Sequence, residues 1–441
     1  MTYLPFPRAR RALAAALAAW SAACAAQDAP AAPQAVRFAD YLQAVEAHSL
    51  DLQAQQTTIA AARAGVGMAG LLPDPALTLG HSREQISSGA PRPASREAGL
   101  SWEIETGGKR AARVRAARSG VRLAEAQVEG FRHALYSEAA GAFAEACRTR
   151  EAWARKRQTL AALGEVVRAN EARRKAGDVG GVELLQSRVE HDQFESEVAL
   201  ADAEVQAAQA ALSVPLGRAF AGLWGAAPLE CDFAPYAQEG DLPALLPEAL
   251  RVRDDVQTAE ALLANARDKA ALAQANRWVN PTLSVGVART RGYGAGTDAA
   301  GEPLYDAAAP SRVLAVSVSV PLPLSRLDRG ELVQAEAEVT QALLGVEQTR
   351  QRAEAEVRAA WFRFQAARGN VARYRGGVLA DAQRVTESMR LSYRHGAASL
   401  LELLAAQRSA DEAYLAYLQA RADLAAATVQ LQLSLGQRPR L

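Results

Sequence analysis

The side chains best suited to chemistry in this chain are five histidines, three cysteines and many carboxylates. His48, His81, His133, His191 and His395 are scattered and form no His-x-x-x-His or comparable ligand set. Cys147 and Cys231 stand far apart, match no metal-ligand spacing, and read as small apolar fillers. Gly107-Gly108 reads as a strand-to-helix turn, since no Gly-rich phosphate loop follows a strand pattern. Helical carboxylates alternate with Arg and Lys, the pattern of solvated or interhelical ion-pair faces. The expectation is a protein that is not an enzyme and holds no metal or cofactor.

Two carboxylates, Glu183 and Glu402, occupy matching places after glycine-marked turns. The first turn reads Lys175-Ala176-Gly177-Asp178-Val179-Gly180-Gly181-Val182-Glu183-Leu184-Leu185 and the second Tyr393-Arg394-His395-Gly396-Ala397-Ala398-Ser399-Leu400-Leu401-Glu402-Leu403-Leu404. Gly177 and Gly396 suit the positive φ that ends a helix tightly. Each acid then lies near a helix N-terminus, where the macrodipole favours negative charge.

Those turns belong to a chain written twice. Pro73-Asp74-Pro75-Ala76-Leu77-Thr78-Leu79-Gly80 recurs as Asn280-Pro281-Thr282-Leu283-Ser284-Val285-Gly286, 206 residues on (75 to 281). Gly177 recurs as Gly396, and Leu216-Gly217 as Leu435-Gly436, both at 219. The longer Gly-rich loop Arg291 to Gly301 in the second copy accounts for most of the growth. Each copy runs through an Ala-rich helical stretch (about 39–70 and 247–277), a proline break, two strands, a long helix, the turn and a return helix. The spacing predicts strands at about 76–84, 99–106, 282–290 and 313–321, and long helices at about 109–173, 180–214, 327–393 and 398–435. The repeats span 27–217 and 248–441, joined by a Pro-rich linker or equatorial segment, 218–247.

The strands alternate with period two: Leu314, Val316, Val318 and Val320 oppose Ala315, Ser317 and Ser319. A soluble half-buried sheet and a membrane barrel wall both give this pattern. The helices carry heptads: Val114, Val121, Val128, Leu135 and Ala142 match Leu332, Val339, Val346, Ala353 and Ala360 at offset 218 (114 to 332). On the return helices Val198, Val205 and Leu212 match Tyr417, Leu424 and Leu431. A helix over 109–173 would be about 95 Å long, far beyond a globular helix. Four strands close no membrane barrel alone, and lipid tolerates no unpaired sheet edge, so copies must pool their strands.

Composition agrees. The 441-residue chain has a formal net charge of +1, so no whole-molecule field favours nucleic acid. Only 6% is aromatic, which suits long, closely packed Ala-rich helices. After the N-terminus no apolar run is long enough for a transmembrane helix. Residues 1–26, with Arg8, Arg10 and Arg11 before the apolar run Ala12 to Trp20, read as a secretory signal peptide. Cys24 follows Ser21-Ala22-Ala23 and is a candidate for lipidation, although Ser21 stands where a lipobox usually has a larger aliphatic residue.

The duplicated order behind a signal peptide resembles the TolC-type outer-membrane efflux factors over nearly the whole mature chain. Glu103-Ile104-Glu105-Thr106-Gly107-Gly108-Lys109-Arg110 is similar to the strand-to-helix junction of the heavy-metal (CzcC-like) branch. The resemblance implies a mainly α protomer with a small β part. Three copies would form a 12-stranded β-barrel continued by an α-helical barrel in the periplasm of a Gram-negative bacterium. It implies outer-membrane lipid around the barrel, a periplasmic adaptor (membrane fusion protein), an inner-membrane RND-type pump and no nucleic acid. Cargo would be heavy-metal cations, with drug-efflux or protein-secretion channels of the same fold, or a periplasmic coiled-coil scaffold, as alternatives.

By the same resemblance the two turns are the periplasmic tip. Glu402 matches an acidic pore constriction and Tyr393 a latching tyrosine, and Glu183 is a further gate candidate. Arg174 occupies the tyrosine's place in the first copy, so Glu183 is expected to lack a tyrosine partner. Ala405 and Ala398 replace a second acid and a basic latch residue. Gly177, Val182, Leu184, Gly396, Ser399, Leu400 and Leu403 would meet the adaptor.

Overall fold

The computed structural model describes residues 35–83, 94–233, 236, 241–307, 309–322, 324 and 329–441. The expected signal peptide, residues 1–26, and the lipidation candidate Cys24 lie outside the described residues.

The first repeat opens with α1 (Phe38–His48) and α2 (Leu50–Ala69), separated at Ser49, whose hydroxyl accepts from Leu52 N. Strands β1 (Ala76–Arg83) and β2 (Ala94–Glu103) follow, then α3 (Lys109–Ala176) and α4 (Gly181–Ala211). Short helices α5 (Ser213–Leu216) and α6 (Ala221–Trp224) lead into α7 (Leu242–Val252) and α8 (Asp254–Asn276). The second repeat continues with β3 (Thr282–Arg291), β4 (Tyr293–Thr297), β5 (Pro303–Ala307) and β6 (Ser311–Ser319). Then come α9 (Gly330–Arg373), a π-helical turn (Tyr374–Val378), α10 (Leu379–Arg394) and α11 (Leu400–Ser434). Elements fall where the spacing places them, within a few residues for most. β2 begins five residues early, and the Gly-rich loop forms β4 and the turn of a β4–β5 hairpin whose second strand follows it.

At 68 residues α3 is about 100 Å long. Its equator holds the main core, where Phe38, Tyr41, Leu42 and Val45 of α1 pack on Leu135, Ala139 and Phe143. Tyr41 satisfies its hydroxyl by donating to Leu212 O at 2.9 Å. The linker joins this core through a parallel bridge between Val36 and Leu229. There the cysteine reading is corrected: Cys147 and Cys231 form a disulfide, their Cα atoms 5.5 Å apart. Their separation of 84 residues gives no local signal, and the pair meets only because the linker folds back onto α3.

Several of the heptad positions are buried, and others are displaced. On α9 the buried stripe runs through Ala335, Ala342, Val346, Ala353, Val357, Ala360 and Phe364, in steps of three, four and seven residues that keep one helix face inward. On α3 Val128 and Leu135 are buried, but near its start Ala112, Ala116 and Ser119 hold the seam and Val114 is half-buried. Small residues there admit α8, whose Asn265 donates to Ala116 O and Ser119 Oγ at 3.0 and 3.1 Å.

The main sheet is antiparallel, in the order β1-β2-β3-β6. Direct partners share a face. One face carries the rows Leu77–Leu100–Val285–Val316 and Leu79–Ala98–Val287–Leu314, with Trp102–Leu283–Val318 nearer the helices. The other carries Thr78–Gly99–Gly286–Ala315 and Ser101–Ser284–Ser317. The sheet curls around a hollow whose lining includes Thr78, Glu97, Gly99, Ser101, Ser284 and Ser317. Its apolar face points outward and is bare: Leu79 is 73% exposed and Leu314 70%.

Candidate channel tip and strand-to-helix junction

At the end of the helices far from the sheet, both turns are built as their glycines require. Gly177 (φ 86°) closes α3 and Gly396 (φ 72°) follows α10. An L side chain is strained at such φ.

Tyr393, near the end of α10, turns inward and is buried. Its hydroxyl lies 2.6 Å from Asn170 Oδ1 on α3 and 2.8 Å from Glu183 Oε1 on α4. The Arg173 guanidinium sits over its ring, 5.4 Å from the centroid. Burial, reinforced by the Glu183 carboxylate, pushes the phenol up to about 12, so it stays protonated and remains a donor. One hydroxyl hydrogen serves one acceptor at a time, and Asn170 Nδ2 is buried with no partner among the described residues. The expectation that Glu183 lacks a tyrosine is thereby corrected: the tyrosine comes from the other repeat.

Tyr393 also packs with Leu400 and Leu403 on Val166, Met389 and Leu404. Leu400 and Leu403, expected at the adaptor surface, are buried within the protomer, and Leu184 is half-buried. The apolar groups presented outward are Val182 (69% exposed), Leu185 and Leu401 (76%). Sequence reasoning missed the last two, which flank the acids it singled out. Glu402 is exposed and completes a capping box: its carboxylate accepts from Ser399 N at 2.8 Å, and Ser399 Oγ accepts from Glu402 N at 3.3 Å. Ser399, chiefly through its backbone amide, holds the Glu402 carboxyl below the usual glutamate range. Further from the tip, Arg408 of α11 forks onto Glu190 of α4 at 2.6 and 2.7 Å. Asp411 is buried and accepts from Arg155 Nε at 2.7 Å and Thr159 Oγ1 at 3.0 Å. His191, Asp192 and Glu195 bring ligand-type atoms within 4.8 Å of one another on α4; the i, i+4 spacing of His191 and Glu195 was the available sign.

The junction Glu103 to Arg110 knots the repeats together beside the sheet. Asn280 Oδ1 accepts from Lys109 Nζ at 2.5 Å and from Thr106 N at 3.3 Å, while its Nδ2 donates to Glu103 Oε1 at 2.6 Å. Arg113 binds Glu105 through both Nη atoms, and its Nε and Nη2 donate to Ala69 O and Leu71 O at 2.8 Å each. The Arg113 fork holds the Glu105 carboxyl below its ordinary range. Gly107 and Gly108 adopt φ of 66° and 70°, and a Cβ on Gly107 would sit 2.5 Å from the Trp278 ring. Glu103, Glu105, Gly107, Gly108 and Lys109 of this motif therefore each have a mechanical reason to be there.

A long coaxial helical hairpin pair continuing a two-faced sheet is the form of an outer-membrane duct. Residues 41–218 and 245–437 match the family profile described as outer membrane efflux protein, and the chain belongs to that family. Sequence comparison with curated proteins gives no match. Among solved structures the chain resembles CusC, with TM-score 0.73 and 19% identity, covering 91% of this chain and 92% of that one. It also resembles the Campylobacter jejuni CmeC outer membrane channel (0.71, 18%, covering 91% and 86%). The Neisseria gonorrhoeae MtrE outer membrane channel, solved in an open state, is similar too (0.71, 20%, covering 92% and 90%). The protein is an outer-membrane efflux channel with a periplasmic helical extension.

Proposed function

We propose that three copies close into a passive exit duct for cargo delivered by an inner-membrane RND-type pump through a periplasmic adaptor. The observation that carries this is the open sheet. β1 and β6 are its two edges, and three antiparallel pairings leave them antiparallel to each other. β6 of one copy therefore presents the right direction to β1 of the next, and a ring of three gives 12 strands without a parallel seam. An unclosed edge in lipid would leave backbone groups unpaired, at several kcal/mol each.

The periplasmic ends of the hairpins form the gate. Tyr393, Glu183 and Asn170 hold the two hairpins of one protomer together, and three Glu402 side chains around the axis would favour cations in transit. The adaptor meets the tip around Gly177, Val182, Gly396 and Ser399, with the outward Leu185 and Leu401. Heavy-metal cations are the proposed cargo, supported by the likeness of Glu103 to Arg110 to the heavy-metal branch.

Two measurements test this reading. Cysteines introduced singly on β1 and β6 and joined by a bifunctional maleimide should give a ladder ending at three; a ladder that stops at the monomer overturns the duct. A deletion strain should lose resistance to some of zinc, cobalt, cadmium, copper and silver. Normal metal resistance with new drug sensitivity assigns the duct to drug efflux instead.

A further inference from the structure

The outward face of the sheet changes character abruptly at the end away from the helices. Next after the row Leu79–Ala98–Val287–Leu314, the same face carries His81–Arg96–Arg289–Arg312, one basic residue from each strand in direct register. Arg83 and Arg291 follow on that face, both opposite Ala94. The result is five arginines and a histidine, with no carboxylate on this face of the four strands. Arg96, Arg289 and Arg312 are exposed, and among the described residues none of them carries an ion pair.

Left alone, this arrangement is unfavourable. Like charges directly opposite on neighbouring strands repel, and Arg96 faces Arg289, which in turn faces Arg312. Charged side chains on a lipid-facing wall are tolerable only at the interface, where their cost falls from about 2–4 kcal/mol at the midplane to about 0–1. Both penalties vanish if the row lies at headgroup level and anions sit between the guanidiniums. Arginine forks match phosphate oxygens in pairs, which lysine does not. The helices extend into the periplasm, so this end of the sheet lies toward the cell exterior, where the leaflet is a phosphorylated glycolipid.

We infer that His81, Arg96, Arg289 and Arg312, flanked by Arg83 and Arg291, form a binding belt for the phosphates of that outer-leaflet glycolipid. The apolar rows beneath the belt would take the acyl chains of the same lipid molecule, so one ligand covers both halves of the face. The inference rests on the proposed closure of the sheet into a barrel, and the test separates the two.

The purified full-length assembly is examined by native mass spectrometry and thermal unfolding with bisphosphorylated lipid A, the same lipid with its phosphates removed, or inorganic phosphate. Wild-type protein should retain several bisphosphorylated molecules per trimer and gain several degrees in midpoint. The dephosphorylated lipid and free phosphate should do neither. The R96Q/R289Q/R312Q variant should remain trimeric and lose most of that retention, and the corresponding triple Lys variant should recover only part of it. Equal retention of both lipids, or retention unchanged in R96Q/R289Q/R312Q trimers, overturns the belt. A shift with inorganic phosphate alone overturns the lipid as its occupant. If the wild-type mass shows no trimer, the closed barrel falls first.

Discussion

The two long helical arms are copies, yet one is α-helical throughout and the other carries a π-helical turn. Through α3 the first arm runs 68 residues without interruption. The second passes from α9 through the π turn Tyr374–Val378 into α10. The sequence offset explains the difference. Buried Val346, Ala353 and Val357 match Val128, Leu135 and Ala139 at 218 (346 less 128), whereas Gly396 matches Gly177 at 219. One extra residue therefore entered the second arm between these points, and a π turn is how a helix absorbs one residue without rotating everything beyond it. The π turn holds Gly376 and Gly377, which match Gln158 and Thr159 at offset 218, and in the first arm Thr159, with Arg155 one turn earlier, is bonded to Asp411. Copies of one element have become a braced rod and a jointed one.

The largest effect expected from breaking this comparison comes from deleting single residues. Removing Ala161 from the continuous α3 rotates the remainder by about 100°. Asn170 then leaves Tyr393, and trimers and resistance should both be lost. Removing Gly376 should instead heal the π turn to α-helix and leave trimers intact. Crosslinking and resistance assays on the two deletions decide it, and equal damage from both would end the insertion account.

A smaller effect comes from the staple, which only the first arm has, since Gln365 stands at the position matching Cys147. In the chain-entropy account, Cys147→Ser with Cys231→Ser costs about 4–5 kcal/mol for a loop of this length. Thermal unfolding should show it as a lowered midpoint, absent when wild-type protein is compared under reducing conditions. Tyr393→Phe, which unties the jointed arm from the braced one, should cost about 1–3 kcal/mol at the tip. Planar-bilayer recordings should register it as added leak; unchanged conductance would remove this contact from the gate. Least of all, Glu402→Ala should weaken cation preference and fray the start of α11. The Glu402 carboxyl titrates below its ordinary value, so its capping contribution is full above the usual glutamate range and fades as pH falls through that lowered value. Conductance of the variant and the parent should converge at low pH.

Much of this was legible in the residues. Alternation in Leu314 to Val320 gave the strand faces, and matching glycines marked the two tip turns and the ends of both return helices, with Gly177, Gly217, Gly396 and Gly436 each at positive φ. What stayed hidden needed partners brought together across the repeats. Tyr393 reaches Glu183 from 210 positions away, and no periodicity links them. The disulfide was invisible for the same reason. Even the basic belt, spelled out in Arg96, Arg289 and Arg312, becomes a row only once the strand register is known. The motif Glu103 to Arg110 teaches the converse, since a string distinctive enough to suggest a branch of the family also serves as a joint.

The bridge between Cys147 and Cys231 has a consequence for biogenesis. A chain threaded amino end first into an oxidising compartment exposes both thiols before any of residues 248–441 arrives. The opening half can lock its own equator while the closing half is still in transit, so the later repeat docks onto a finished template.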